Sequence, residues 1–165
     1  MYTTFLLAIA SARRSIYITN PYFVPDDAMS DAIVNAVRRG VRVVVLVPGE
    51  IDHNIVRQAS RSKFGRMLKA GVEIYEYRAG LLHSKTMVID SVWTTVGSTN
   101  LDNRSFALND ELNVVTYSQA VARRMEAIFF EDLEHSKRIE YGRWSRRGLM
   151  ERVLEMLAVP IQDQL

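Results

Sequence analysis

Within the stretch LHSKTMVIDSVWTTVGSTNLD (82–102), an imidazole, an ammonium, a hydroxyl and a carboxamide come at short spacing: His83, Lys85, Ser98 and Asn100. Asp90 and Gly97 lie between them. This set suits a phosphodiester. Lys85 brings a point charge for anionic oxygens, and Ser98 and Asn100 bring directional donors. An imidazole titrates near neutrality, so His83 can serve as nucleophile or proton carrier. An attacking imidazole needs a partner on its second nitrogen, to hold its tautomer and stabilise the cation that forms. Glu111, which opens the next predicted strand, is the candidate. Lysine and amide donors offset phosphate charge, so the set requires no metal or other cofactor. The three histidines are scattered, and there is no cysteine.

Residues of equal parity share a face of a strand. Residues 82–90 read as a strand, which projects His83 and Lys85 together and turns Asp90 the other way. Asp90 then lies about 23 Å from His83 at ~3.3 Å per residue. It is expected to be a structural turn residue. Asp90-Ser91 forms a two-residue hairpin loop. In that register Ile89 faces Val92, Lys85 faces Val96 and His83 faces Ser98, so Ser98 and Asn100 join the His83 face. Gly97 leaves room beside them for a ligand or a second backbone. Asp102 and Asn109 read equally as turn caps or as site members.

The elements that must hold this motif alternate. A helix runs through about Arg14, residues 16–19 form a short strand, and Asn20-Pro21 breaks it. Pro25-Asp26 opens a helix with Asp26 as N-cap, and Gly40 closes it. The β-branched run 41–47 reads as a strand buried on both faces. Residues 52–70 have helical spacing and end on Gly71, and 72–77 and 111–117 read as strands. A long helix over 119–138 and a helical segment over 146–157 complete the pattern. It predicts one α/β domain over 1–165, a mostly parallel sheet with helices on both faces.

At 165 residues and 48% hydrophobic, the chain can bury one core. Its net charge of +2 gives no broad basic field, which argues against nucleic acid as partner. Lys137, Arg138, Arg143, Arg146, Arg147 and Arg152 gather near Tyr141 and Trp144. They read either as a seat for anionic lipid headgroups or as a solvated helix face. The longest apolar run, 43–47, is far short of the ~20 residues of a membrane span. FLLAIASARRS has its basic residues after its apolar run and reads as an amphipathic helix rather than a signal peptide. His53, beside Asp52, reads as a surface cap, and His135 as exposed.

The spacing His83-x-Lys85, Asp90, Gly97-Ser98-x-Asn100 resembles the signature of the phospholipase D superfamily. NPYFVPDD (20–27), ASRSKFGRMLKAGVEIYEY (59–77), LDNRSFALNDELN (101–113), FFEDLEHS (129–136) and Trp144 are similar to the second half of bacterial cardiolipin synthases. Ser84 stands where those synthases commonly have alanine. The resemblance implies an α-β-α sandwich and transfer of a phosphatidyl group from a phosphatidylglycerol-like phospholipid through a phosphohistidine. It implies catalytic roles for His83, Lys85 and Glu111, and phosphate binding by Ser98 and Asn100. A second histidine from a paired motif protonates the leaving alcohol in such enzymes, and only one motif is present here. The chain is therefore expected to be half of a two-domain unit, completed within a longer protein or by pairing with itself. If it is such a half, the surface around His83 should be exposed and apolar. A peripheral place on an anionic bacterial plasma membrane follows from the same likeness. A homodimeric phosphodiesterase or nuclease, or a half-domain inactive alone, remains open.

Overall fold

Distant parts of the chain meet at one rim because of the order in which seven strands assemble. The computed structural model describes residues 1–49, 54–146 and 148. Ser15–Thr19 (β1), Arg42–Pro48 (β2) and Glu73–Tyr77 (β3) are parallel neighbours. Asp27–Arg38 (α2) and Asn54–Ala70 (α3) supply their crossovers. Every residue of β1, and every residue of β2 after Arg42, is buried, as expected of strands covered on both faces. Asp26 caps α2, accepting the Met29 N–H at 2.7 Å.

Beyond Tyr77 every strand runs antiparallel to its sheet neighbours. Lys85–Ile89 (β4), Trp93–Gly97 (β5) and Asn113–Tyr117 (β6) form an antiparallel meander beside β1. Ser136–Ile139 (β7) adds antiparallel to the outer edge of β3, giving the order β6-β5-β4-β1-β2-β3-β7. Two of the six pairings are parallel and four antiparallel. The expected mostly parallel sheet is thus corrected to a mixed one: β4, β5 and β6 follow one another as an antiparallel meander, and β7, reached through a long helix, adds antiparallel to β3. The helices do lie on both faces. Tyr2–Ser11 (α1), α2, α3 and Tyr141–Ser145 (α6) close the larger core around Ile16, Ile18, Val45, Met87 and Trp93. Gln119–Glu134 (α5) covers the other face, setting Ala122 and Phe129 against Tyr17, Val44, Leu46 and Val88.

Three further expectations are revised. The helix predicted over 119–138 ends at Glu134, where the chain turns and becomes β7. The hairpin is one residue longer than a two-residue loop. Asp90 and Ser91 both take positive φ, 54° and 57°, and the Val92 N–H closes on the Ile89 carbonyl at 3.1 Å. Trp93, not Val92, therefore faces Ile89, and Lys85 faces Gly97 instead of Val96. Finally, β4 begins at Lys85, so His83 lies on the approach to the strand and strand parity does not govern it. Residues 52, 53, 147 and the segment 149–157 lie outside the described residues, and with them His53, Asp52, Arg147, Arg152 and most of the last predicted helix.

Candidate active site

Three chain segments converge at the rim where β1 ends and β4 begins. Thr19 pairs with Thr86, so the residues leaving β1 run beside those arriving at β4. Asn20 is buried there and holds the segment after β5. Its side-chain oxygen accepts the Leu101 N–H at 3.2 Å, and its amide reaches the Thr99 carbonyl at 3.5 Å. Phe23 then bridges Leu101, and the Val24 N–H donates to the Leu101 carbonyl at 2.9 Å. A five-residue helix, Asn103–Ala107 (α4), follows at once, with Asp102 capping it through the Ser105 N–H at 2.7 Å.

Lys85 stands in the end row of the meander, with Gly97 opposite and Asn113 beyond. Any Cβ on Gly97 would strike the Asn113 side-chain oxygen and the Leu112 carbonyl. The room left by the glycine is filled by this strand crossing, not by open space. Asn113 in turn donates to the Thr99 hydroxyl. The Lys85 ammonium bonds back to the His83 carbonyl at 2.8 Å. Burial pushes its pKa down, opposed by the charges of Glu111 and Asp102.

Ser98 lies just past β5 and joins β6 by its backbone, its N–H donating to the Leu112 carbonyl at 2.9 Å. Its hydroxyl donates to Glu111, whose other oxygen accepts the Asn109 amide at 3.2 Å. Burial alone would raise the Glu111 carboxyl. Hydrogen bonds from Ser98, Asn109 and Ser105, with the Lys85 charge, outweigh it and leave the pKa below its usual value. Asp102 goes the other way, raised chiefly by burial and also by the charge of Glu111. The Asn100 side-chain oxygen is buried with no hydrogen-bond partner among the described residues.

His83 is exposed, its ring edge-on to Tyr22 with centroids 6.3 Å apart. Among the described residues no hydrogen bond joins it to Glu111; Lys85 lies between them, its ammonium on the His83 carbonyl and its charge acting on Glu111. Asp90 sits at the opposite end of β4. Its carboxylate accepts the backbone N–H groups of Arg13, Arg14 and Ser15 at 2.9, 2.7 and 2.9 Å. Burial opposes its charge, but those three bonds and the Arg14 guanidinium hold its pKa below the ordinary value. Asn20, Thr99 and Asn113 are site-building residues that the sequence showed only as a strand breaker and strand positions. Among the described residues no group of three or more His, Cys, Asp or Glu side chains could hold a metal ion.

A mixed sheet sandwiched by helices, with this polar rim, is the frame of phospholipase D-like proteins. The chain belongs to that family: residues 5–133 match the family described as "Cardiolipin synthase, PLD-like domain". It is 42% identical over 146 residues to cardiolipin synthase 2 of Staphylococcus epidermidis, covering 88% of this chain and 30% of that protein. It is 44% identical over 147 residues to cardiolipin synthase 2 of Bacillus anthracis, covering 89% and 29%. The chain thus spans under a third of the length of these relatives. Among solved structures, the phospholipase D family member Nuc of Salmonella typhimurium superposes with a TM-score of 0.77 at 21% identity, covering 84% of this chain and 90% of Nuc. Phosphatidylserine synthase of Haemophilus influenzae gives 0.74 at 14% identity, covering 97% and 42%.

Proposed function

We propose that the chain is the phosphoryl-transfer half of a cardiolipin-synthase-type phosphatidyltransferase. The His83 ring attacks the phosphorus of a phosphatidylglycerol-like lipid, forming an N–P bond as the P–O bond to the leaving alcohol breaks. A second histidine, from a paired motif, gives that alcohol its proton. An acceptor alcohol, or water, then loses a proton to the same histidine and takes the phosphatidyl group from His83. Lys85 offsets charge on the non-bridging oxygens, and Ser98 and Asn100 hold them. Glu111 orients Ser98 and, once the exposed His83 ring turns inward, serves as its carboxylate partner. Asp90 is structural.

In-line displacement needs one group on each side of phosphorus, and His83 cannot supply both. The observation that carries the two-half reading is the apolar rim around an otherwise polar site. Leu81, Leu108 and Leu112 are 66%, 72% and 78% exposed there, and Val114 is 61% exposed beside them. Such a patch supports burial against another half, whether in the same protein or in a second copy. Peripheral membrane contact agrees with the described residues, where no helix is long and apolar enough to cross a membrane.

The test is incubation with phosphatidylglycerol vesicles, alone and with a protein supplying the other motif, with products read by mass spectrometry. Cardiolipin is the expected product. Phosphatidic acid alone would make water the acceptor. Cleavage of a DNA oligonucleotide with no lipid product would overturn the proposal in favour of a nuclease.

A further inference from the structure

The far edge of the sheet carries a charged feature that the chemistry at His83 does not use. An open cleft of about 600 Å³ is lined by residues of α3, β3, β7 and α6. Arg61, Lys137, Arg138 and Arg143 face it, against Glu76 and Glu140. This excess of two positive charges equals the formal net charge of the whole chain, +2. Glu76 is already engaged: it is buried and accepts from Arg61 at 3.1 Å and Arg78 at 2.5 Å. Arg61 also lies over the buried Trp144 ring, 4.6 Å from its centroid, which fixes a guanidinium at the floor. Lys137 and Arg143 are exposed, and neither side chain makes a hydrogen bond or ion pair among the described residues. Tyr141, 43% exposed, stands beside them, as amphipathic rings do at membrane interfaces.

The position of the cleft gives it a meaning. Lys137 pairs with Glu76 near the C-terminal end of β3, and Lys85 lies beside the C-terminal end of β1. The Lys137 end of the cleft therefore lies towards the rim that carries the catalytic site. Four strand steps separate them, roughly 19 Å at ~4.8 Å per step. One plane of lipid headgroups can touch both.

We infer that this rim seats the protein on an anionic bilayer, the cleft taking the phosphate of a headgroup other than the one being transferred. The inference rests on the lipid-substrate reading above but concerns binding, not turnover. A nucleic-acid track fits less well: it calls for a broad basic field along the strand, and the whole chain has a net charge of only +2.

The test uses the full chain carrying His83→Asn, so that lipid composition stays constant, sedimented with phosphatidylcholine vesicles with and without phosphatidylglycerol. Binding should require phosphatidylglycerol and weaken with salt. Lys137→Gln with Arg143→Gln should weaken it about thirtyfold, from about 1 kcal/mol per basic residue near the surface and tenfold per ~1.4 kcal/mol. The melting temperature of that variant, unchanged, shows that the fold is kept. Equal vesicle affinity of parent and variant overturns the inference. So does tighter binding to a single-stranded oligonucleotide lost with the same substitutions. With His83 restored and the paired motif supplied, vesicle binding without lipid product overturns the substrate reading alone. Under the same conditions, intact lipid transfer with unaltered vesicle binding in the Lys137→Gln, Arg143→Gln chain overturns this one alone.

Discussion

Gly97 is where a single methyl group decides the geometry of the site. The Asn113 side chain and the Leu112 carbonyl already occupy the place of its missing Cβ. Gly97→Ala must push β6 away from β5, and with it the Ser98–Glu111 contact. We expect a loss of about 1–3 kcal/mol of stability from overpacking, and at least ~10-fold of turnover from misplaced groups, read by thermal unfolding and kcat. Glu111→Gln keeps the shape but not the charge. Turnover should fall while the melting temperature holds; unaltered turnover would remove Glu111 from the mechanism. Asp90 tests the opposite role. Its folded pKa is depressed, so its contribution to stability is full above the unfolded value of about 3.9. It is lost as pH falls through the lower folded value. Asp90→Asn should therefore be less stable than the parent at neutral pH, with the gap closing on acidification.

Among the elements, the passage from β1 to Phe23 does the positioning, and Asn20 is its clamp. Asn20→Ala leaves the buried Leu101 N–H without its acceptor, at a cost of about 1–3 kcal/mol. Because the clamped segment runs straight into Asn100 and Ser98, kcat should fall further than stability alone explains. Sequence showed only Asn20-Pro21 as a break, since its partners lie 79 and 81 residues away. The same distance problem hid Asn113. By contrast, the buried strands β1 and β2 and the Asp26 cap were readable, because burial on both faces and capping are written in local residue types. The strand β7 was not. Its sequence SKRI has no apolar alternation, and it is a strand because the β3 edge offers backbone partners. Its Lys137 and Arg138 also protect that edge from further pairing. The hairpin register slipped by one because the loop takes in Val92 as well, so that Trp93 is the partner of Ile89. Residue type and spacing brought His83, Lys85, Ser98 and Asn100 forward as candidates; the structure sets the Lys85 ammonium on the His83 carbonyl and Ser98 against Glu111.

For the whole molecule, the site among the described residues has one histidine, and the displacement proposed above uses two. Supplying the paired motif should raise lipid transfer by orders of magnitude, and His83→Asn should abolish it. Transfer should also persist after chelation of divalent ions, once vesicle aggregation is controlled, because Lys85 and the amide donors offset the phosphate charge. Recovery by one specific ion after loss would contradict this. Asp90 has a last consequence, and it is kinetic. Its carboxylate pins Arg13, Arg14 and Ser15, contacts spanning 75 to 77 residues of chain. Closing so long a loop is entropically costly, so such a contact forms late on the way to the native state. Contacts absent from the transition state govern escape from the native well more than arrival in it. In stopped-flow experiments Asp90→Asn should therefore steepen the loss of native protein, speeding unfolding while refolding keeps its rate. The aspartate of the motif then acts as a latch on the lifetime of the fold.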